Sequence, residues 1–446
     1  MRIIIAGAGD IGFHLAELLS YENKDIILID NNKDVLKYAS THVDVLPIRG
    51  DSSSIEVLRE AEVGYADLFI AVTTAQDNNI VSALLAKQMG AKRCIARVQN
   101  SEYIEEEQLD YFKQLGIDSI IAPNKLAAVE IERLLQQCTF TDIFEFEDGK
   151  MSLLGATLNS NSSIVNQTIG QIFHPEKEIP YRPMAVLRSH KTLIPQDEVR
   201  LLKGDHVYFI SPQEHIDDLE ETIGKEKHAI KNVMIVGGSD VAFETAKRLQ
   251  NTYRITLIEP SKKRCRTLAE KLSNTLIVQG NPSNTDILKE EGLEQMDALL
   301  ALTTKPETNI VVCLTAKNFG VHRTIAKVDN KAYTHISQEI GIDTLINKKL
   351  IAANEIFRYI RKGKVECITG LNGVDAEVIE YVVDRKSRLT RKLLKDIDFP
   401  VTARIGGVVR ADESFIPKDD FQLQKDDKVI VLAMPQAIPQ LEKLFR

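Results

Sequence analysis

The sequence lacks the patterns that mark membrane-spanning, disulfide-stabilised and zinc-binding proteins. No apolar run approaches the roughly 20 residues that cross a bilayer as a helix. The five cysteines are scattered, and neither a Cys-x-x-Cys pair nor a His-Glu-x-x-His motif occurs. The apolar run after Arg2 ends at Asp10, which predicts a first strand rather than a signal peptide. We therefore expect a cytosolic protein without a metal site.

Signatures of catalysis are also missing. The chain contains no Tyr-x-x-x-Lys pattern, no Gly-x-Ser-x-Gly motif and no Walker-type lysine loop. The formal net charge of −8 disfavours non-specific binding to nucleic acid. We therefore expect no catalytic residue and no nucleic-acid partner.

What the chain does contain is a long internal repeat. With 446 residues it exceeds the size of one hydrophobic core, so two to four domains are expected. Its two halves share five patterns, which are Arg2–Gly12 with Lys231–Ala242, Ile26–Asp30 with Ile255–Glu259, Arg49–Asp51 with Gln279–Asn281, Asp67–Thr74 with Asp297–Thr304, and Cys94–Val98 with Thr324–Val328. Each half alternates short apolar strands with helical stretches, which predicts βαβ units and a parallel sheet.

A helix and a smaller unit follow each predicted sheet. Short strands broken by Pro, Gly and Asp turns recur in Ala185–Ile210 and Gly407–Leu432, and they indicate small β-rich α+β domains. The predicted fold class is α/β, with two Rossmann-like doubly wound domains. The predicted domains are 1–122 (Rossmann-like), 123–140 (crossover helix), 141–225 (small α+β), 229–346 (second Rossmann-like), 347–362 (second crossover helix) and 363–446 (second small α+β).

The two crossover helices carry an apolar face whose partner the sequence does not identify. Ala127, Ile131 and Leu134 lie on one face of the first helix, and Ala352 and Ile356 keep that spacing in the second. The face either packs on the sheet of its own domain or belongs to a helix exchanged at a dimer interface. Both interpretations stay open.

The first repeat begins with a complete Gly-x-Gly-x-x-Gly loop. The predicted binding residues of this loop are Gly7, Ala8, Gly9, Asp10, Ile11 and Gly12. The loop follows an apolar strand and precedes a helix, the arrangement that binds a dinucleotide pyrophosphate. Asp30 ends the next strand, where a carboxylate accepts hydrogen bonds from ribose hydroxyls and repels a 2′-phosphate. We therefore expect NAD(H) or an adenine nucleotide rather than NADP; in the alternative interpretation, Asp30 only caps a turn.

Polar residues at the ends of further strands extend the predicted site. Thr73 and Thr74 supply hydroxyls for ribose or phosphate, or they cap the next helix. Asp51 is predicted to face the adenine edge. Arg97 offers a guanidinium to phosphate, and a surface salt bridge is an equally good interpretation of its position.

The second repeat has an altered loop. Its predicted binding residues are Gly237, Gly238, Ser239, Asp240, Val241 and Glu259, with Ala242 replacing the third glycine. Ser239 adds a Cβ where the pyrophosphate approaches, although its hydroxyl offers a donor to phosphate. Lys262, Lys263 and Arg264 either contact phosphate or form a solvated helix face. This second site is predicted to be weaker, to bind something else or to be structural only.

A basic stretch near the carboxyl terminus is the one charge cluster that suggests a membrane or nucleic-acid surface. Arg385–Lys395 contains leucines at 389, 393 and 394, which predict an amphipathic helix with an ordinary solvated face.

The chain resembles the domains that regulate conductance of potassium, the RCK/KTN family. The residues that carry this resemblance are the loop Gly7–Gly12 with Asp30, Gly50, Asp51, Thr73, Thr74 and Arg97. The resemblance covers the whole chain. It implies a non-enzymatic regulatory subunit on the cytoplasmic face of the plasma membrane, which binds NAD(H) or ATP/ADP and gates the potassium-translocating subunit of a Trk-type uptake system. It also implies self-association as a dimer or ring. The alternative function is an NAD-dependent oxidoreductase with an unidentified substrate, suggested by the intact loop.

Overall fold

The computed structural model describes residues 1–20, 25–137, 139–173, 179–189, 191–224, 228–329, 341–360, 365–370, 376–384 and 388–445. The domain edges predicted at 225, 362, 363 and 446 lie outside these residues, as does the first part of the basic stretch. The chain forms two compact units. One contains residues 1–129 with 347–360, and the other contains residues 130–346 with 361–446.

The amino-terminal residues form a six-stranded parallel sheet. Its strands are β1 Arg2–Ala6, β2 Asp25–Asp30, β3 Leu46–Arg49, β4 Leu68–Ala71, β5 Cys94–Arg97 and β6 Ser119–Ile121. They lie in the order β3-β2-β1-β4-β5-β6. Apolar side chains such as Ile4 and Phe69 are fully buried, as expected for a sheet covered on both faces. The strand order reverses between β1 and β4, and ligands bind at such a crevice in open parallel sheets.

Six α-helices accompany this sheet. They are α1 Asp10–Ser20, α2 Lys33–His42, α3 Ile55–Glu60, α4 Gln76–Gln88, α5 Glu106–Gln114 and α6 Pro123–Gln136, with 3₁₀ turns at Val63–Tyr65 and Ser101–Ile104. Asn32 caps α2 by accepting hydrogen bonds from the Asp34 and Val35 amides. Pro123 is the first residue of α6, where the missing amide proton costs no helical hydrogen bond.

The next residues form an antiparallel sheet, as predicted for a small α+β domain. Its strands are β7 Asp142–Phe146, β8 Met151–Thr157, β9 Arg182–Arg188, β10 Lys191–Leu193 and β11 His206–Pro212, accompanied by α7 Ile169–Ile172, a 3₁₀ turn Gln213–His215 and α8 Ile216–Ile223. The strand order is β10-β9-β11-β8-β7.

The second half repeats both sheets. The parallel sheet contains β12 Asn232–Val236, β13 Arg254–Glu259, β14 Thr275–Gln279, β15 Ala298–Ala301, β16 Arg323–Lys327 and β17 Thr344–Ile346, with α9 Asp240–Leu249, α10 Lys262–Lys271, α11 Thr285–Glu290, a 3₁₀ turn Leu293–Gln295, α12 Pro306–Asn318 and α13 Lys348–Ile360. Its order, β14-β13-β12-β15-β16-β17, matches that of the first sheet.

The second antiparallel sheet packs on the first. It contains β18 Val365–Gly370, β19 Glu377–Val382, β20 Ala403–Arg410, β21 Glu413–Phe415 and β22 Lys428–Ala433, with α14 Ile438–Phe445 and a 3₁₀ turn Pro435–Ala437. Its order is β18-β19-β22-β20-β21. Met151, Leu153 and Tyr208 of the first small domain share one core with Val378 and Ile430 of the second. The predicted class of two parallel-sheet and two β-rich domains is confirmed.

The second crossover helix packs against the first half of the chain. Helix α13 contacts α1 and also lies beside β6, and all three belong to the same compact unit. Its apolar face is therefore partnered by the other half of the same chain. The interpretation that this helix packs on its own sheet is wrong, and its exchange takes place within one chain.

The predicted amphipathic helix over 385–395 is wrong. The described residues form two 3₁₀ turns, Arg388–Arg391 and Leu394–Asp396. Leu393 between them has extended backbone angles and forms a β-bridge with Gln422, which a continuous helix does not permit. Within the described part of the chain, no helix has the length and apolar character needed to cross a membrane.

Candidate functional site

A cavity lies at the carboxyl ends of the first parallel sheet. Its volume is about 490 Å³, within the range of roughly 300–1,000 Å³ that is usual for ligand sites. Nine of the residues predicted for the first site line it, namely Gly7, Gly9, Asp10, Ile11, Asp30, Asp51, Thr73, Thr74 and Arg97. Ala8 and Gly12, also predicted, do not line it; both are buried, Ala8 in the turn and Gly12 in the first turn of α1.

Close packing of the backbone explains two of the three glycines. Gly7 has a φ of +108°, and a Cβ there would lie 2.8 Å from the Thr73 amide nitrogen. A Cβ on Gly12 would lie 1.8 Å from the Gly7 carbonyl oxygen. A Cβ on Gly9 would meet nothing within 4 Å. Gly9 therefore faces open space, where a ligand can approach the backbone.

The Asp30 carboxylate holds the glycine turn in place. Its Oδ2 accepts a hydrogen bond of 2.7 Å from the Ala8 amide, and its Oδ1 accepts one of 2.8 Å from the Asn32 amide. These are the contacts of the turn-capping interpretation. Each carboxylate oxygen has a further lone pair, so the same group can also accept a hydrogen bond from a ribose hydroxyl.

Thr73 performs a structural task. Its Oγ1 donates to Asn79 Oδ1 at 2.6 Å, its amide donates to the same atom at 2.8 Å, and Asn79 donates to the Arg97 carbonyl oxygen at 2.9 Å. Buried Asn79 thus ties β4 to β5, and sequence reasoning did not identify it. Thr74 is exposed beside the cavity.

Asp51 is held by a local network. Its Oδ1 accepts from the Ser53 amide at 2.9 Å and from Asn78 Nδ2 at 2.7 Å. The hydrogen bond from the Ser53 amide, with those from the Asn78 and Ser53 side chains, lowers the pKa of Asp51 from its ordinary value. Asp51 therefore stays ionised and offers only acceptors to a ligand.

Arg97 supplies a cation that forms no ion pair with a carboxylate among the described residues. Its guanidinium donates weakly to the Thr73 carbonyl oxygen at 3.4 Å, and its buried Nε has no hydrogen-bond partner among the described residues. Burial lowers the pKa of Arg97 from its ordinary value. The structure therefore does not show the surface salt bridge that the sequence left open. A desolvated guanidinium on a cavity wall favours an anionic ligand.

Two further cavity residues come from the second half of the chain. Lys348 and Lys349 begin α13 and line the cavity together with Pro123. Lys349 pairs with Asp10, and Lys348 Nζ donates to Asn124 Oδ1 at 3.1 Å. Sequence reasoning missed both lysines. In the sequence, these lysines differ from the rest of the repeat only because the corresponding residues of the first crossover helix, Pro123 and Asn124, carry no charge.

The second glycine loop keeps the backbone of the first. Gly237 has a φ of +93°, and Glu259 Oε2 accepts from the Gly238 amide at 2.6 Å while its Oε1 accepts from the Ser261 amide at 2.9 Å. The carboxylate of Glu259 therefore holds this turn in place, as the carboxylate of Asp30 holds the turn of the first loop. Val241 is buried beneath the turn.

Protein groups already use the polar atoms of the second loop. Ser239 Oγ donates to the Leu302 carbonyl oxygen at 2.6 Å and accepts from the Ala242 amide, which caps α9. Arg264 Nε donates to the Gly238 carbonyl oxygen at 2.6 Å, and its terminal nitrogen pairs with Asp240 at 2.9 Å. The Arg264 side chain thus lies across the loop, whereas the neighbouring Lys262 and Lys263 are exposed.

The cation that corresponds to Arg97 is also neutralised in the second half. Lys327 is buried, and its Nζ lies 3.7 Å from Asp329 Oδ2. Gln99 occupies the position of Asp329 in the first half. The two loops therefore share a backbone but differ in the charges around it.

Comparison with known proteins adds a family to this geometry. Residues 3–123 and 233–348 match the TrkA-N domain, and residues 153–224 and 378–446 match the TrkA-C domain. A Trk system potassium uptake protein TrkA homolog from Archaeoglobus fulgidus is 33% identical over 448 residues, which cover 100% of both chains.

Solved structures show the same fold at low identity. The GsuK channel bound to NAD has a TM-score of 0.60 and 15% identity, covering 100% of this chain and 78% of that one. GsuK bound to ADP has a TM-score of 0.50 and 13% identity, covering 81% of this chain and 69% of that one. Together with the full-length relative and the four matched domains, these likenesses give one conclusion: the chain belongs to the TrkA family of Trk system potassium uptake proteins.

Proposed function

We propose that this chain is the regulatory subunit of a Trk-type potassium uptake system and that it senses a nucleotide bound at the first glycine loop. The observation that carries the proposal is Arg97, whose side chain lines the same cavity as Gly9 and forms no ion pair with a carboxylate among the described residues. A phosphate in the cavity would supply the negative charge that this guanidinium lacks. The names of the relatives supply the potassium uptake system.

The proposed ligand is NAD(H), with ATP/ADP as the second candidate. Asp30 offers acceptors to ribose hydroxyls and repels the 2′-phosphate of NADP. NAD and ADP are the ligands named for the two solved structures of similar fold. Pyrophosphate binding would use the open approach at Gly9 and the amino-terminal end of α1.

In this proposal binding itself is the output, and the chain is not an enzyme. A ligand that binds one conformation more tightly shifts the population toward it. The chain would lie at the cytoplasmic face of the membrane, self-associate as a dimer or ring, and pass the shift to the potassium-translocating subunit. We further propose that the second loop is the weaker site, because Arg264 and Ser239 already engage its polar groups.

Thermal unfolding of the purified full chain with NAD, NADH, NADP, ATP and ADP tests the proposal. A ligand at 100 times its Kd should stabilise the folded state by ~2.7 kcal/mol. NADP should stabilise less than NAD at equal concentration. Absence of any shift would contradict nucleotide sensing. Turnover of NADH with simple carbonyl substrates would instead favour the oxidoreductase alternative.

A further inference from the structure

The amino-terminal end of α13 forms part of the first nucleotide cavity although its sequence belongs to the second half. Lys348 and Lys349 are half-buried there, and Asn347 caps the helix by accepting from the Lys349 amide at 3.0 Å. These residues belong to the same compact unit as the glycine loop and Arg97. The cavity wall therefore contains two cations from the second half. The corresponding residues of the first half, Pro123 and Asn124, are uncharged.

The charges of the cavity are not all equally available. Asp30 and Asp51 are engaged by backbone amides, and Asp51 also by Asn78. Asp10 is different, because its side chain is 69% exposed and its described partner is Lys349. An anion that enters the cavity competes with Asp10 for the Lys349 ammonium group.

Phosphate groups are the anions that fit this arrangement. Each additional ionised phosphate brings negative charge and acceptor oxygens, and lysine binds phosphate as a point charge. ADP and ATP end in a free, more highly charged phosphate, whereas the two phosphates of NAD(H) are both esterified. Lysines beside the phosphate path therefore distinguish these classes more strongly than the ribose carboxylate does.

We propose that Lys348 and Lys349 are specificity-determining residues of the first site, which contribute more to the binding of adenine nucleotides with a free terminal phosphate than to the binding of dinucleotides. The inference rests on the proposed function. Lys349 exchanges Asp10 for phosphate when such a nucleotide binds.

Titration calorimetry on the full chain tests this proposal with ADP, ATP and NADH. Replacing both lysines, Lys348→Gln with Lys349→Gln, should weaken ADP and ATP binding by about tenfold or more. NADH affinity should fall by less, about threefold. Lys37→Gln is the matched control, because Lys37 is an exposed lysine on α2 outside the cavity lining. It should leave all three affinities unchanged.

Asp10→Asn provides a variant with the opposite expected sign. It releases Lys349 and should tighten ADP binding by about threefold while changing NADH binding less. Equal losses for ADP and NADH in the lysine variant, or no loss for either, would overturn the proposal. Failure of the wild-type chain to bind any nucleotide would instead refute the proposed function.

Discussion

The two glycine loops of this chain have the same backbone and different surroundings. Both turns begin with a glycine in the left-handed region, and both are held by a carboxylate that accepts from the following amide. In the first half, the Arg97 side chain lines the cavity and has no carboxylate partner among the residues that the structure describes. In the second half, Lys327 and Arg264 are each paired with an aspartate. The difference between the halves is therefore one of charge compensation.

The shared features show which residues serve the fold. Thr73 and Asn79 form a 2.6 Å hydrogen bond, and Thr303 and Asn309 form one of the same length. Asn79 and Asn309 also donate to carbonyl oxygens of the next strand at 2.9 and 2.8 Å. Since both halves keep these contacts, a terminal threonine in this fold indicates a strand tie and does not by itself indicate a ligand.

The largest expected effect on nucleotide affinity comes from replacing Arg97, and it is compared with replacement of the corresponding Lys327 in the second half. Arg97→Gln removes the guanidinium from the first cavity and should weaken nucleotide binding by about 2 kcal/mol, roughly 30-fold. Lys327→Gln is the matched change in the second half. Because Asp329 already neutralises this lysine, affinity should stay within about twofold while thermal stability falls. Calorimetry and thermal unfolding of both variants measure the two effects, and equal losses of affinity would break the comparison.

An intermediate effect is expected for the two carboxylates. Asp30→Ala and Glu259→Ala each remove two hydrogen bonds to turn amides, so both should lose stability, by about 1–2 kcal/mol. Only Asp30→Ala should also weaken nucleotide binding, by about tenfold, because the proposed site places the ribose beside Asp30 and not beside Glu259.

The same calorimetry and unfolding measurements separate stability from affinity here. A larger loss of affinity for Glu259→Ala than for Asp30→Ala would show that the second half contains the principal site.

Much of the fold could be predicted from the sequence because the repeat consists of short patterns whose residues are close together in the chain. Apolar runs, glycine turns and the matched strand ends predicted both parallel sheets, and their identical strand orders follow from the duplication. The prediction of a helix in the basic stretch was wrong because a periodic set of leucines does not reveal that Leu393 forms a β-bridge with Gln422.

The candidate site was harder to predict, because its decisive contacts join residues far apart in the chain. No spacing rule places Lys349 beside Asp10, or tells which of Lys262, Lys263 and Arg264 will lie across the loop. Likewise, the sequence suggested that the Ser239 hydroxyl was available to phosphate, and its bond to Leu302 depends on how β15 ends beside the turn.

The smallest expected effect concerns the glycine that the second loop lacks. Ser239→Gly recreates the Gly-x-Gly of the first loop, and glycine replaces serine at a helix cap at a cost of only a few tenths of a kcal/mol. Arg264 would still bond to Gly238 and Asp240 across the loop, so this change alone should not strengthen the weaker second site. Calorimetric stoichiometry should stay at the wild-type value.

Adding Arg264→Ala to Ser239→Gly separates the side chain from the missing glycine. If Arg264 closes the loop, the double variant should bind more nucleotide per chain than either single variant. Appearance of an extra site in Ser239→Gly alone would contradict this and assign the closure to the serine Cβ. The single Arg264→Ala variant isolates the remaining contribution, because Ser239 keeps its bond to Leu302 and continues to cap α9 in that background. The increase in nucleotide bound per chain by Arg264→Ala therefore measures the contribution of this one arginine to the difference between the halves, separately from the altered glycine motif.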